Sequence, residues 1–249
     1  SGASMTPEHP VAVVVGLFVA YMLVVGVLWK VTGTRYDALA DSRAHVVRGI
    51  ILPIGVGALL LAIATTWLGW WDLALFGDGR FGPTWALIVP AIMAVVVVAN
   101  IVTIDFRSPK ADVIPFLVIG TLLVGFSEEL LSRGLLVVGL RQGGASELVV
   151  WLATSTLFAL LHAMNALFGQ SVKMTVTQIV FAFVAGTAFY VTFMTTGSLL
   201  VAMILHALWD LGALGIKATG AQQKPAIGLL AFGSYAAALV SVWFVIGVL

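Results

Sequence analysis

The chain has 249 residues, 61% of them hydrophobic and 9% charged, with a formal net charge of +1. A mean hydropathy of +1.12 lies far from the balance of a soluble globular protein and marks an all-α, polytopic membrane protein. Near-neutral charge without a dense basic stripe argues against nucleic acid as a partner. The absence of cysteine excludes disulfides, thiolate metal sites and cysteine nucleophiles, so any catalysis must use oxygen and nitrogen groups.

Ser1 to Ser4, ahead of Met5, read as an expression scar, leaving 5–249 as a single transmembrane domain. The first apolar run, Val11 to Trp29, has no basic segment before it and no small-residue cleavage site after it. It is expected to be a retained span, not a signal peptide. Further runs long enough to cross about 30 Å of hydrocarbon fall near Val46 to Leu68, Thr84 to Ile104 and Val113 to Leu140. Others follow near Leu148 to Phe168, Val176 to Thr195, Ser198 to Ile216 and Ala226 to Leu249, about eight spans in all. The runs are continuous, not alternating, which excludes a barrel. Trp67, Trp70, Trp71 and Trp85 flank one loop as an interfacial aromatic belt would. The four-residue link Thr195 to Ser198, with Gly197, predicts a tight antiparallel hairpin. Gly186, Gly212 and Gly215 are expected at close helix contacts.

With eight spans, one set of loops carries Lys30, Arg35, Arg43, Arg48, Arg107, Lys110, Lys173, Lys217 and Lys224. The other carries Arg80, Arg133 and Arg141. The positive-inside rule then places both termini outside a cell membrane.

The fourth run, Val113 to Leu140, contains Glu128, Glu129 and Arg133. Insertion into hydrocarbon penalises each such side chain by roughly 2.5 to 3.5 kcal/mol, so the cluster is a functional-site hypothesis. Glu129 and Arg133 form an i, i+4 pair with the acid first, the favourable order. Glu128 points about 100° away and is left for other work, with Ser132 one turn beyond as a hydrogen-bond candidate. A purely structural role, both acids pairing with Arg133, is the alternative. His162 and His206 fall in other spans, and Asp210 shares a helix face with His206, where a carboxylate can orient the imidazole. Glu128, His162 and His206 each lie within about four residues, or roughly 6 Å of rise, of the centre of their run. They are therefore expected to converge on a polar cavity between helices four, five and seven. The fourth run is overlong: 28 residues rise about 42 Å, so it must tilt, kink or project.

Glu128-Glu129-x-x-x-Arg133, Phe158-x-x-x-His162 and His206-x-x-x-Asp210 resemble the three motifs of the CPBP (Abi) family of intramembrane proteases, which includes the CAAX prenyl endopeptidases. The motifs cover about 85 residues, within a core at about 113–216, and the amino-terminal third adds none. The resemblance implies an endopeptidase acting on membrane-associated or lipidated peptides and proteins. Glu128 would be the general base on water, His162 would position that water, and His206 with Asp210 would stabilise the oxyanion. Glu129, Arg133 and Phe158 would support the site. No cofactor is expected, although Glu128, His162 and His206 also make a conceivable zinc set. A proton- or cation-coupled transporter and a catalytically silent scaffold are the rival functions. A transporter would favour an inverted repeat, and only a short echo, Leu157 to Met164 against Val201 to Leu208, is present.

Well-studied CAAX proteases usually carry Asn where Asp210 stands, and an ionised Asp accepts but does not donate. Asp210→Asn is therefore expected to retain cleavage of a membrane peptide. Complete loss of cleavage in a folded variant would mean that the carboxylate is required.

Overall fold

The computed structural model describes residues 6–77 and 79–247. Ser1 to Ser4 and the last two residues of the expected final span lie outside them. Among the described residues every regular element is helical. Eight helices among these residues are long and apolar enough to span a bilayer: α1 (Pro10–Thr32), α2 (Arg43–Leu68), α3 (Thr84–Ile101), α4 (Pro109–Gln142), α5 (Glu147–Phe168), α6 (Val172–Thr196), α7 (Leu199–Thr219) and α8 (Pro225–Val245). Length and apolarity set each span, while prolines and capping residues set its ends. Pro10, Pro109 and Pro225 start α1, α4 and α8, where a missing N–H costs nothing. Ser146 and Ser171 cap α5 and α6 by accepting from Val149 and Met174 N–H groups.

The loops sort onto two faces as an even number of spans requires. On one face Lys217 Nζ donates to the Asp37 carbonyl at 2.7 Å, and Arg43 pairs with Asp112 at 2.8 Å. On the other, Phe81 N–H donates to the Met194 carbonyl at 2.7 Å. The α6–α7 hairpin closes beside Arg80 through Gly197, whose φ of 68° suits glycine. Arg133 belongs to neither face. It is wholly buried inside the bundle, so only Arg80 and Arg141 remain on the sparsely charged side. The aromatic belt also needs one correction. Trp67 and Trp85 are exposed, but Trp70, the residue that caps the short helix Trp71–Phe76, is fully buried in the core.

The centre of the bundle is α4 against α7. A side chain at Gly125 would run into the Met203 carbonyl and the Ala207 backbone, so a hydrogen there lets the two helices approach closely. Gly212 and Gly215 of α7 likewise lie against Asn100 and Ile104. α4 is 34 residues long, longer than the expected run. A π-type stretch, Leu130–Leu135, follows Glu129 directly. Such wide turns insert an extra residue and commonly occur at functional sites. A second one, Val47–Ile51, opens α2, where the Gly49 carbonyl accepts from Trp29 Nε1 at 2.7 Å.

Candidate active site

Glu129 and Arg133 are both completely buried, and neither is stable there without a partner. Glu129 Oε1 accepts from Arg133 Nη1 at 3.0 Å and from His206 Nδ1 at 2.8 Å. Arg133 Nη2 donates to the Gly186 carbonyl at 2.8 Å, a reach possible because no side chain stands on Gly186. The guanidinium also lies 4.1 Å from the centre of the Phe158 ring, a desolvated cation–π contact. One carboxylate oxygen thus ties α4 to itself and to α7, and one guanidinium ties α4 to α5 and α6.

The histidines are fixed by the same core. Phe189 stacks on His206 at 4.8 Å and an interplanar angle of 21°. Phe158 meets the rings of His162 and His206 edge to face, at 5.6 and 5.7 Å. His162 Nδ1 donates to the Phe158 carbonyl at 3.3 Å, which leaves Nε2 as the ring's free nitrogen. Asp210 sits 3.7 Å from His206 Nε2, an ion-pair distance and not a hydrogen bond. The sharing of a helix face suggested that Asp210 orients His206. The direct bond to that ring comes instead from Glu129.

Glu128 is held differently. Its carboxylate lines a cavity of about 280 Å³ together with His162, His206 and Asp210, and its buried Oε2 has no hydrogen-bond partner. Ser132 does not bond it as helical spacing suggested, and its own hydroxyl is unpartnered. A smaller cavity of about 130 Å³, reached past Trp209 and Tyr235, touches the same two histidines and Asp210 from the side of α6 and α8.

Several contributors lie outside the three motifs. Tyr21 of α1 lines the larger cavity and hydrogen-bonds the Ser127 hydroxyl at 3.1 Å, next to Glu128. At the cavity mouth, Asn165 Nδ2 donates to Gln178 Oε1 at 3.0 Å, and Gln178 Nε2 donates to Tyr36 Oη at 2.8 Å. Burial pushes the Tyr36 phenol up to about 12, so it stays neutral. Composition could not single these residues out. Asn165 alone carried a signal, since it follows His162 by three residues in the tight stretch His162–Phe168. Among the described residues no three His, Asp or Glu side chains are grouped as metal ligands would be.

Removing one partner of the buried pair leaves an uncompensated charge. Arg133→Gln is therefore expected to cost about 3 to 5 kcal/mol of stability, read as a large fall in unfolding temperature in detergent. Glu128→Gln breaks no hydrogen bond and is expected to melt close to the parent protein.

Residues 110–212 match the family model described as Rce1-like, type II CAAX prenyl endopeptidase. No curated protein and no solved structure gives a significant match. The matched segment runs from the start of α4 through most of α7 and contains every motif residue from Glu128 to Asp210. The segment that builds the site is thus the part of the chain that is similar to the type II CAAX prenyl endopeptidase family model.

Proposed function

We propose that this protein is a membrane-embedded endopeptidase in which Glu128 activates a water molecule for attack on a peptide carbonyl. The observation that carries this reading is the division between the two adjacent acids. Glu129 is spent on Arg133 and His206 through Oε1, while Glu128 lines the cavity and accepts no hydrogen bond among the described residues; a buried Oε2 without a partner is common to both acids. A general base must be free to take a proton, and only the second arrangement leaves it free.

The remaining groups supply the other parts of hydrolysis. His162, with Nδ1 committed to a backbone carbonyl, presents Nε2 as the polar atom that positions the attacking water beside Glu128. His206 has Glu129 as its Nδ1 acceptor. When both ring nitrogens carry protons, Nε2–H is left to donate to the oxyanion of the tetrahedral intermediate, with Asp210 as a nearby counter-charge. Glu128 then returns the abstracted proton to the leaving amine, so the acid and base steps use one carboxylate. Phe158, Phe189 and Arg133 hold the two rings but do not touch substrate.

The cavity walls favour a largely apolar peptide. Val25, Leu39, Ile50 and Ile54 line the space beside the catalytic groups, and its mouth lies near Lys217 on the basic face. Membrane-associated or lipidated peptides and proteins of the cell membrane are the proposed substrates, with no cofactor.

Purified protein and its Glu128→Gln variant, reconstituted with candidate membrane peptides, provide the test. Loss of the base is expected to lower the cleavage rate by about 10²- to 10⁴-fold without loss of fold. Parent activity is expected to survive exhaustive chelation, in protein whose metal content is measured. Equal cleavage by the two proteins would overturn the glutamate mechanism. Ion flux without cleavage would favour a transporter.

A further inference from the structure

Away from the catalytic cavity, the lipid-facing crevice between α1 and α2 combines two features that differ in chemistry and lie along the same pair of helices. At its end on the basic face lies a pocket of about 100 Å³, bordered by Thr34, Arg35, Leu39, His45 and Arg48. No acid lines it. Arg35 directs Nε and Nη2 to Asp37, at 3.2 and 2.7 Å, which leaves Nη1 outside that pair. Among the described residues no carboxylate lies within ion-pair distance of Arg48 or His45. The pocket walls are tied together by Thr34 Oγ1 donating to the Arg48 carbonyl at 3.4 Å and by the Trp29–Gly49 bond at 2.7 Å.

Directly below, the same two helices enclose a groove of about 350 Å³ lined only by Leu23, Val24, Val27 and Leu28 of α1 and Val56 of α2. Val24, Leu28 and Thr32 recur every fourth residue, so one face of α1 leads from the groove into the pocket. On α2, Arg48 and Val56 are separated by about 12 Å of helical rise, the depth from a headgroup to the upper part of an acyl chain. Leu23 and Val27 are 62% and 58% exposed, which places the groove on the lipid side of the bundle.

We propose that this crevice binds one anionic phospholipid, with its phosphate between Arg35, His45 and Arg48 and one acyl chain in the groove beneath. Charge complementarity selects the occupant. A cationic pocket at headgroup level, on the face that carries most of the basic residues, suits the anionic lipids of a cytoplasmic leaflet. An apolar slot one to two helical turns below it on the same helices suits a molecule with a tail. Leu39 borders both this pocket and the catalytic cavity, so a bound lipid braces the α1–α2 elbow that walls the cavity mouth.

The test is thermal unfolding of the purified protein in detergent, titrated separately with dioleoyl phosphatidylglycerol, dioleoyl phosphatidylcholine and inorganic phosphate. Phosphatidylglycerol is expected to raise the unfolding temperature saturably and at lower concentration than phosphatidylcholine of the same chains. Inorganic phosphate is expected to give no comparable rise. Arg48→Ala with His45→Ala, both exposed side chains, is expected to shift the phosphatidylglycerol midpoint by about tenfold. Val56→Trp, which fills the groove, is expected to weaken that response while leaving the cationic pocket intact. Equal responses to the two lipids, or an unchanged response in the double variant, would overturn the proposal. A response to phosphate equal to that of the lipid would overturn the acyl groove.

Discussion

A single oxygen, Glu129 Oε1, accepts from Arg133 and His206 at once, and the rest of the site is arranged around that junction. In hydrocarbon neither charge is tolerable alone, so the pair must form, and forming it fixes where α4 and α7 meet. Arg133 then reaches the Gly186 carbonyl and the face of Phe158, which brings α5 and α6 into the same cluster. Phe158 and Phe189 confine the His206 ring, and Phe158 also confines His162. Placement of both imidazoles is a consequence of how one buried carboxylate is satisfied.

The adjacent acid has the opposite circumstances. Successive helical residues point about 100° apart, so the geometry that buries Glu129 turns Glu128 into the cavity. Two identical side chains in sequence therefore acquire different work from their surroundings alone. The amino-terminal helices complete the enclosure. Tyr21, Val25 and Trp29 of α1 and Ile50 and Ile54 of α2 form walls, while Tyr36, Gln178 and Asn165 link the elbow to α6 and α5 at the mouth. The matched segment, 110–212, holds Glu128, His162, His206 and Asp210, and the helices before it wall the cavity that these residues line.

Much of this was legible in the chain. Continuous apolar runs located all eight spans to within a few residues, because hydrocarbon leaves helices little freedom of length. Charges inside such a run identified the cluster, and the i, i+4 rule paired Glu129 with Arg133. The Glu129–His206 bond was not legible, since it joins residues 77 apart and depends on how α7 packs. Helical spacing misled at Ser132, whose hydroxyl shares a face with Glu128 but stays unpartnered. It also overstated the part of Asp210 in orienting His206, for sharing a face does not bring the atoms into hydrogen-bond range. Trp70 was misplaced because a belt residue and a core residue look alike in composition. The first two helices carried no motif because their contribution is shape.

The division of roles between Glu128 and Glu129 is tested most directly by treating the folded protein with a hydrophobic carbodiimide and mapping modified carboxyls by peptide mass spectrometry. Modification is expected at Glu128, which faces the cavity, while Glu129 is spared by its two hydrogen bonds and complete burial. Modification of Glu129 as readily as Glu128, or sparing of Glu128, would contradict the account.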